Sequence, residues 1–170
     1  MNKKNRRSWL IAPANKPELI ARAAKSGADV IVLDLAEFVA EKNKAHARAD
    51  FAAALQAARA GGAEVFAQVD PTVMHDDLEA CVLAGLAGIV ITRAESTGEI
   101  ADAEATLSRL ENERGIAPGT LQIVPALETA RGNHAAHEIC TASARVAAVT
   151  LGRADLSVAG TLSAGSVGFA

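Results

Sequence analysis

Six apolar, β-branched runs recur along this chain about every 25 to 35 residues, and a stretch of helical periodicity separates each from the next. The runs cover 9–12, 30–35, 65–69, 89–92, 122–127 and 146–151; the helical patterns cover 16–26, 41–60, 75–84, 97–114 and 132–141. Near-continuous apolar strands of this kind are buried on both faces, the condition of a parallel sheet covered by helices. Only 3% of residues are aromatic while 50% are apolar, which suits close helix-on-sheet packing better than an antiparallel sandwich. Gly27, the pair Gly61 and Gly62, and Gly115 fall where helices end in a left-handed residue. The expectation is an α/β chain forming one domain over 1–170, with a basic tail at 1–7 and an uncharged, small-residue tail at 157–170. Periodicity leaves two architectures open, a doubly wound sheet or part of an eight-stranded barrel. Neither GxGxxG nor GxxxxGK[ST] occurs, so the common nucleotide-binding forms of the open sheet lack support.

Charge and cysteine usage exclude several function classes. The net charge is −3 and the one basic cluster, Lys3 to Arg7, reads as a solvated tail, so no nucleic-acid partner is expected. The apolar segment after it is too short for a membrane span or a signal core, which points to a cytoplasmic protein. Cys81 and Cys140 lack metal-ligand spacing and read as free thiols. His134 and His137 lie one helical turn apart but lack an evident third ligand, and they are assigned to a solvated face with no role for His46 or His75.

Two acids stand out by position. Glu128 ends the run Leu121-Gln-Ile-Val-Pro-Ala-Leu-Glu128, and Asp155 follows the run that begins at Val146. On neighbouring parallel strands their carboxylates would emerge side by side at the carboxyl edge of the sheet, where α/β enzymes place their chemistry. Paired carboxylates there suit a divalent cation, since Mg2+ takes a few hard oxygen ligands and retains waters that a substrate can displace. The plainer alternative is that Glu128 caps the next helix and Asp155 is a solvated loop acid.

Four ordered segments carry a resemblance to the citrate lyase beta-subunit and malyl-CoA lyase family. They are Arg7-Ser-Trp-Leu-Ile-Ala-Pro-Ala-Asn-Lys-Pro17, Gly27-Ala-Asp-Val-Ile-Val-Leu-Asp-Leu35, Glu128-Thr-Ala-Arg-Gly132 and Leu151-Gly-Arg-Ala-Asp-Leu156. The resemblance implies a (β/α)8 barrel of which this chain carries about six βα units. A complete barrel takes about 250 residues. It also implies a Mg2+-dependent (or Mn2+-dependent) carbon–carbon lyase acting on an acyl-CoA or a 2-oxoacid through a metal-stabilised enolate. Family lyases form homo-oligomers in which a lid from one subunit covers its neighbour's site.

Roles carry over only where residues match. In the family, the acids matching Glu128 and Asp155 bind the metal. Asp34 and Glu37 fall in its L-D-L-E-D segment, as acids supporting metal-bound water, although Ala36 and Glu37 replace its last two residues. Arg131, beside Glu128, balances the acids or meets an anionic group of the substrate. Gln68 occupies the slot of a substrate-gripping arginine; it can donate hydrogen bonds but carries no charge. Arg93 stands where the family has a lysine and is expected to face a carboxylate or a phosphate. Lys16, in the loop after the first strand, is a candidate contact for phosphate. A catalytically degenerate homologue that only binds, and another enolate-forming barrel lyase, stay open at this point.

Overall fold

A computed structural model describes residues 6–152. Six parallel strands lie in the order in which they occur in the chain: β1 (Trp9–Pro13), β2 (Val30–Asp34), β3 (Glu64–Val69), β4 (Gly88–Ile91), β5 (Gln122–Leu127) and β6 (Thr150–Leu151). A doubly wound sheet reverses its order at a switch point; this one never does. It curls instead into an incomplete (β/α) barrel. Side chains on its two faces form two separate apolar clusters, as a parallel sheet buried on both faces requires.

The outer cluster packs Ile31, Leu33, Val65, Ile89, Ile91 and Ile123 beneath the helices, among them α1 (Pro17–Ala24), α4 (Met74–Cys81) and α5 (Thr97–Glu113). Each large side chain fully buried there is worth roughly 1.5–3 kcal/mol. The inner cluster is Val30, Val32, Phe66, Val90, Val124 and Ala126. Strand register stacks these residues in layers: Val32 is level with Phe66, and Phe66 with Gly88. A methyl group on Gly88 would stand 2.6 Å from Cε1 of Phe66, so the glycine makes room for the ring opposite.

Helix signals match their sequence cues in part. Ser96 and Glu99 form a complete capping box on α5. The long pattern over 41–60 splits into α2 (Glu41–Ala49) and α3 (Phe51–Arg59), because Asp50 takes φ −91° and ψ 0°. The break lets α2 pack on α4 while α3 packs on α1. The pattern over 132–141 likewise becomes α6 (Ala130–His134) and α7 (Ala136–Thr141), broken at Ala135. Of the expected strand over 146–151, only Thr150 and Leu151 join the ladder; Val146 makes an isolated bridge to Ile123.

The basic cluster is corrected at one residue. Arg6 does not hang in solvent: its Nε lies 2.6 Å from Oε2 of Glu64, its Nη1 donates to Oε1 of Gln122 at 2.7 Å, and its guanidinium lies 4.9 Å from the centre of the Phe66 ring. These contacts close the amino-terminal floor of the barrel. Cys81 is buried, which pushes its thiol pKa upward and leaves it unreactive, and both cysteines are free. Among the described residues no helix is long and apolar enough to cross a membrane.

Candidate functional site

The inner face of the curled sheet encloses a cavity of about 610 Å³. Trp9, Ile11, Val32, Val90, Val124 and Ala126 give it apolar walls, and Val149 and Leu151 of the last segment extend them. Polar groups gather at its carboxyl end, where Gln68 is the last residue but one of β3, Glu37 follows β2 and Glu128 follows β5. Such a cavity, apolar with a few convergent polar groups, is the usual form of a small-molecule site.

Glu128 is half-buried, and its Oε2 accepts a 2.8 Å hydrogen bond from the backbone N–H of Arg93. It does not cap the following helix. Oγ1 of Thr129 does, accepting from the Gly132 N–H at 3.0 Å, while Glu128 lines the cavity. A methyl group on Gly132 would press within 2.2 Å of the Ala94 carbonyl oxygen, so that glycine serves backbone packing. Gly152 does the same for Glu128 itself: a methyl there would stand 2.1 Å from Cγ of Glu128. Gly152→Ala should therefore turn the carboxylate away and weaken divalent-cation binding about tenfold, as loss of a supporting contact commonly does. Titration with Mn2+ measures it, and an unchanged affinity would refute the cradle.

Asp34 is fully buried at the end of β2. Its carboxylate accepts from the backbone N–H groups of Ala36 and Glu37, at 3.2 Å each, and of Phe38 at 2.7 Å. Burial pushes its pKa up, against the opposing pull of those three bonds and of Lys44. Geometrically it is the anchor of the loop that presents Glu37 and Phe38 to the cavity. Phe38, 60% exposed, stands at the mouth.

The remaining predicted residues fall differently. Gln68 is only 5% exposed and lines the cavity beside Val90. Arg93 lies next to the site but points outward; its Nη2 is 2.9 Å from Oδ2 of Asp70. Arg131 is exposed on α6, 3.9 Å from a Glu95 oxygen, and lies outside the cavity lining. Lys16 is exposed at the start of α1, also outside the lining. Asp155 lies outside the described residues, as does the 157–170 tail. His134 and His137 are exposed.

Sequence reasoning passed over Trp9, Phe38 and Gly152 as site residues. A glycine directly after the sixth apolar run was the one available signal, because a strand-end glycine often marks a close approach.

The donor chemistry fits a hard divalent ion: two carboxylates, Glu37 and Glu128, line one cavity, and the side chain of Glu128 packs directly on Gly152. Among the described residues no group of three or more His, Cys, Asp or Glu side chains converges.

An incomplete parallel barrel with acids at its carboxyl rim defines the class, that of (β/α)-barrel proteins. The sequence profile of the HpcH/HpaI aldolase/citrate lyase family matches residues 7–166, and the chain belongs to that family. It is 31% identical over 157 residues to the citrate lyase subunit beta of Leuconostoc mesenteroides subsp. cremoris, covering 91% of this chain and 52% of that protein. Identity to the L-malyl-CoA/beta-methylmalyl-CoA lyase of Cereibacter sphaeroides is 29% over 158 residues, covering 89% and 49%. The chain thus spans about half the length of these relatives. Among solved structures, protein CitE from Mycobacterium tuberculosis in complex with magnesium and acetoacetate superposes with a TM-score of 0.65 at 28% identity, over 96% of this chain and 62% of that one.

Proposed function

We propose that this chain is a divalent-metal-dependent carbon–carbon lyase of the aldolase or Claisen type, acting on a 2-oxoacid, a hydroxyacid or an acyl-CoA. The observation that carries the reading is the Glu128 carboxylate, set at the end of β5, facing the cavity and held by the Arg93 N–H. Glu128 and Asp155 would hold Mg2+ or Mn2+. When bound, the ion supplies positive charge to an enolate developing as the carbon–carbon bond breaks or forms. Gln68 donates amide hydrogen bonds to a substrate oxygen, the apolar walls exclude water, and Asp34 keeps Glu37 at the rim to support a proton-carrying water. The relatives' names support small acids or their coenzyme A thioesters as substrates. A cytoplasmic homo-oligomer belongs to the same reading.

A second reading rests on Gln68 and Ala36, which put a neutral amide and a methyl group where the family carries charge. In this reading the chain keeps the cavity and binds without catalysis. Calorimetric titration of the purified chain with Mg2+ and Mn2+, followed by turnover assays on malyl-CoA, citramalyl-CoA and a hydroxy-ketoacid panel, decides between them. Binding with turnover supports the lyase, binding without turnover supports the degenerate homologue, and no binding overturns the metal reading. Product analysis with a series of 2-oxoacids separates the lyase from other enolate-forming barrels.

A further inference from the structure

Among the described residues, Arg93 alone carries a side chain at a left-handed φ, 46°. Residues other than glycine keep that conformation only where their surroundings impose it. Two hydrogen bonds do so here. The Arg93 backbone N–H donates to Oε2 of Glu128 at 2.8 Å, and its Nη2 donates to Oδ2 of Asp70 at 2.9 Å. Asp70 is itself fixed. Its Oδ1 accepts from the Thr72 N–H at 2.9 Å and from the Thr72 hydroxyl at 2.7 Å. Its own N–H donates to Oδ2 of Asp77 at 3.4 Å, and the fully buried Asp77 accepts from Nε of Arg48 at 2.7 Å.

We infer that Asp70 is a positioning residue: by tethering Arg93 in its left-handed turn, it aims the Arg93 N–H at Glu128 and sets which carboxylate oxygen faces the cavity. Asp70 is not part of the cavity lining, so it acts only through Arg93. A carboxylate with one oxygen held by an N–H has lost the freedom of its terminal torsion. Outer partners that fix the orientation of a ligand carboxylate in this way tune metal sites. What the orientation serves rests on the metal reading above; the tether itself does not.

Asp70→Asn keeps a side-chain oxygen for Thr72 and removes the charge that holds Arg93. The Arg93 amide should then exchange with solvent about tenfold faster by NMR, and Mn2+ binding should weaken about tenfold, with the melting temperature close to that of the parent. In Arg93→Gly the turn needs no tether, so adding Asp70→Asn to that background should cost nothing more. An Arg93 amide that exchanges at the parental rate in Asp70→Asn overturns the inference, as does a full additive loss in the double variant. Failure of the parent chain to bind Mn2+ overturns the metal reading instead and leaves the exchange comparison to decide the tether.

Discussion

Glu128→Gln should weaken Mg2+ and Mn2+ binding by at least about a hundredfold, and lyase turnover should fall with it, while the melting temperature stays within a few degrees of the parent. The amide matches the carboxylate in volume and still presents an oxygen to the Arg93 N–H. What it loses is the anionic character on which a hard cation depends. Removing an outer partner of a metal ligand costs about 10–100-fold in affinity, so neutralising a ligand should reach or pass the upper end. Glu128 is half-buried, and exchanging a charged hydrogen bond for a neutral one there costs about 1 kcal/mol of stability. Affinity and stability therefore separate in this variant. Calorimetric titration beside thermal melting measures both, and unchanged cation affinity would remove Glu128 from the site.

The strands were legible because burial on both faces leaves a plain mark, an apolar run without alternation. Val30 to Asp34 illustrates it: all five residues are buried. Curl was not legible, since a flat and a rolled parallel sheet make the same demand on each strand. The deciding fact is the neighbour order, a property of pairs of strands. The helix break at Asp50 escaped for a related reason, because no glycine or proline marks it and α2 packs on α4 while α3 packs on α1; no local signal marks the break at Ala135 either.

The position of Glu128 could be read because a parallel strand delivers its last side chains to the carboxyl rim; Gln68 was placed by the family motif, and its side chain lies in the cavity wall. The residues in the loops and helix starts beyond, Lys16 and Arg131, were placed by motif alone; the structure turns both to the surface. Arg6 was opaque, since its partners Glu64, Phe66 and Gln122 lie on strands far along the chain.

Glu111→Ala should lower unfolding stability by about 3 kcal/mol, the lower end of the cost of removing one partner of a buried ion pair, because Arg145 keeps Glu104 at 3.7 Å. Glu111 reads in sequence as one more helical acid, yet it is fully buried. It takes Nη1 and Nη2 of Arg145 at 2.9 and 2.7 Å, and the backbone N–H groups of Gly119 and Leu121 at 2.8 Å each. Its loss leaves a guanidinium whose side chain is only 8% exposed with Glu104 at 3.7 Å, the Ser108 hydroxyl and the Leu121 carbonyl as its remaining partners, and it strands two backbone donors. Against a usual total of 5–15 kcal/mol that is a large fraction. Arg145 also donates to the Leu121 carbonyl, and its own carbonyl accepts from the Ile123 N–H. The pair therefore anchors the approach to β6, which carries Gly152 to Glu128.

Burial raises the Glu111 pKa, but the Arg145 fork and the two N–H groups more than offset it and hold it below the ordinary glutamate value of 4.5. A depressed folded pKa contributes stability in full above the unfolded value and loses it as pH falls through the folded one. Urea melts of the parent should accordingly show this contribution at pH 7 and its decline below about pH 4.5. Glu111→Ala should start lower and lose less over the same acid range. Parallel curves for the two chains would show that the pair carries no pH-linked stability. Glu111→Leu combined with Arg145→Met should recover only part of the deficit, because apolar replacement of both partners removes the stranded charge but leaves the Gly119 and Leu121 N–H groups unpaired.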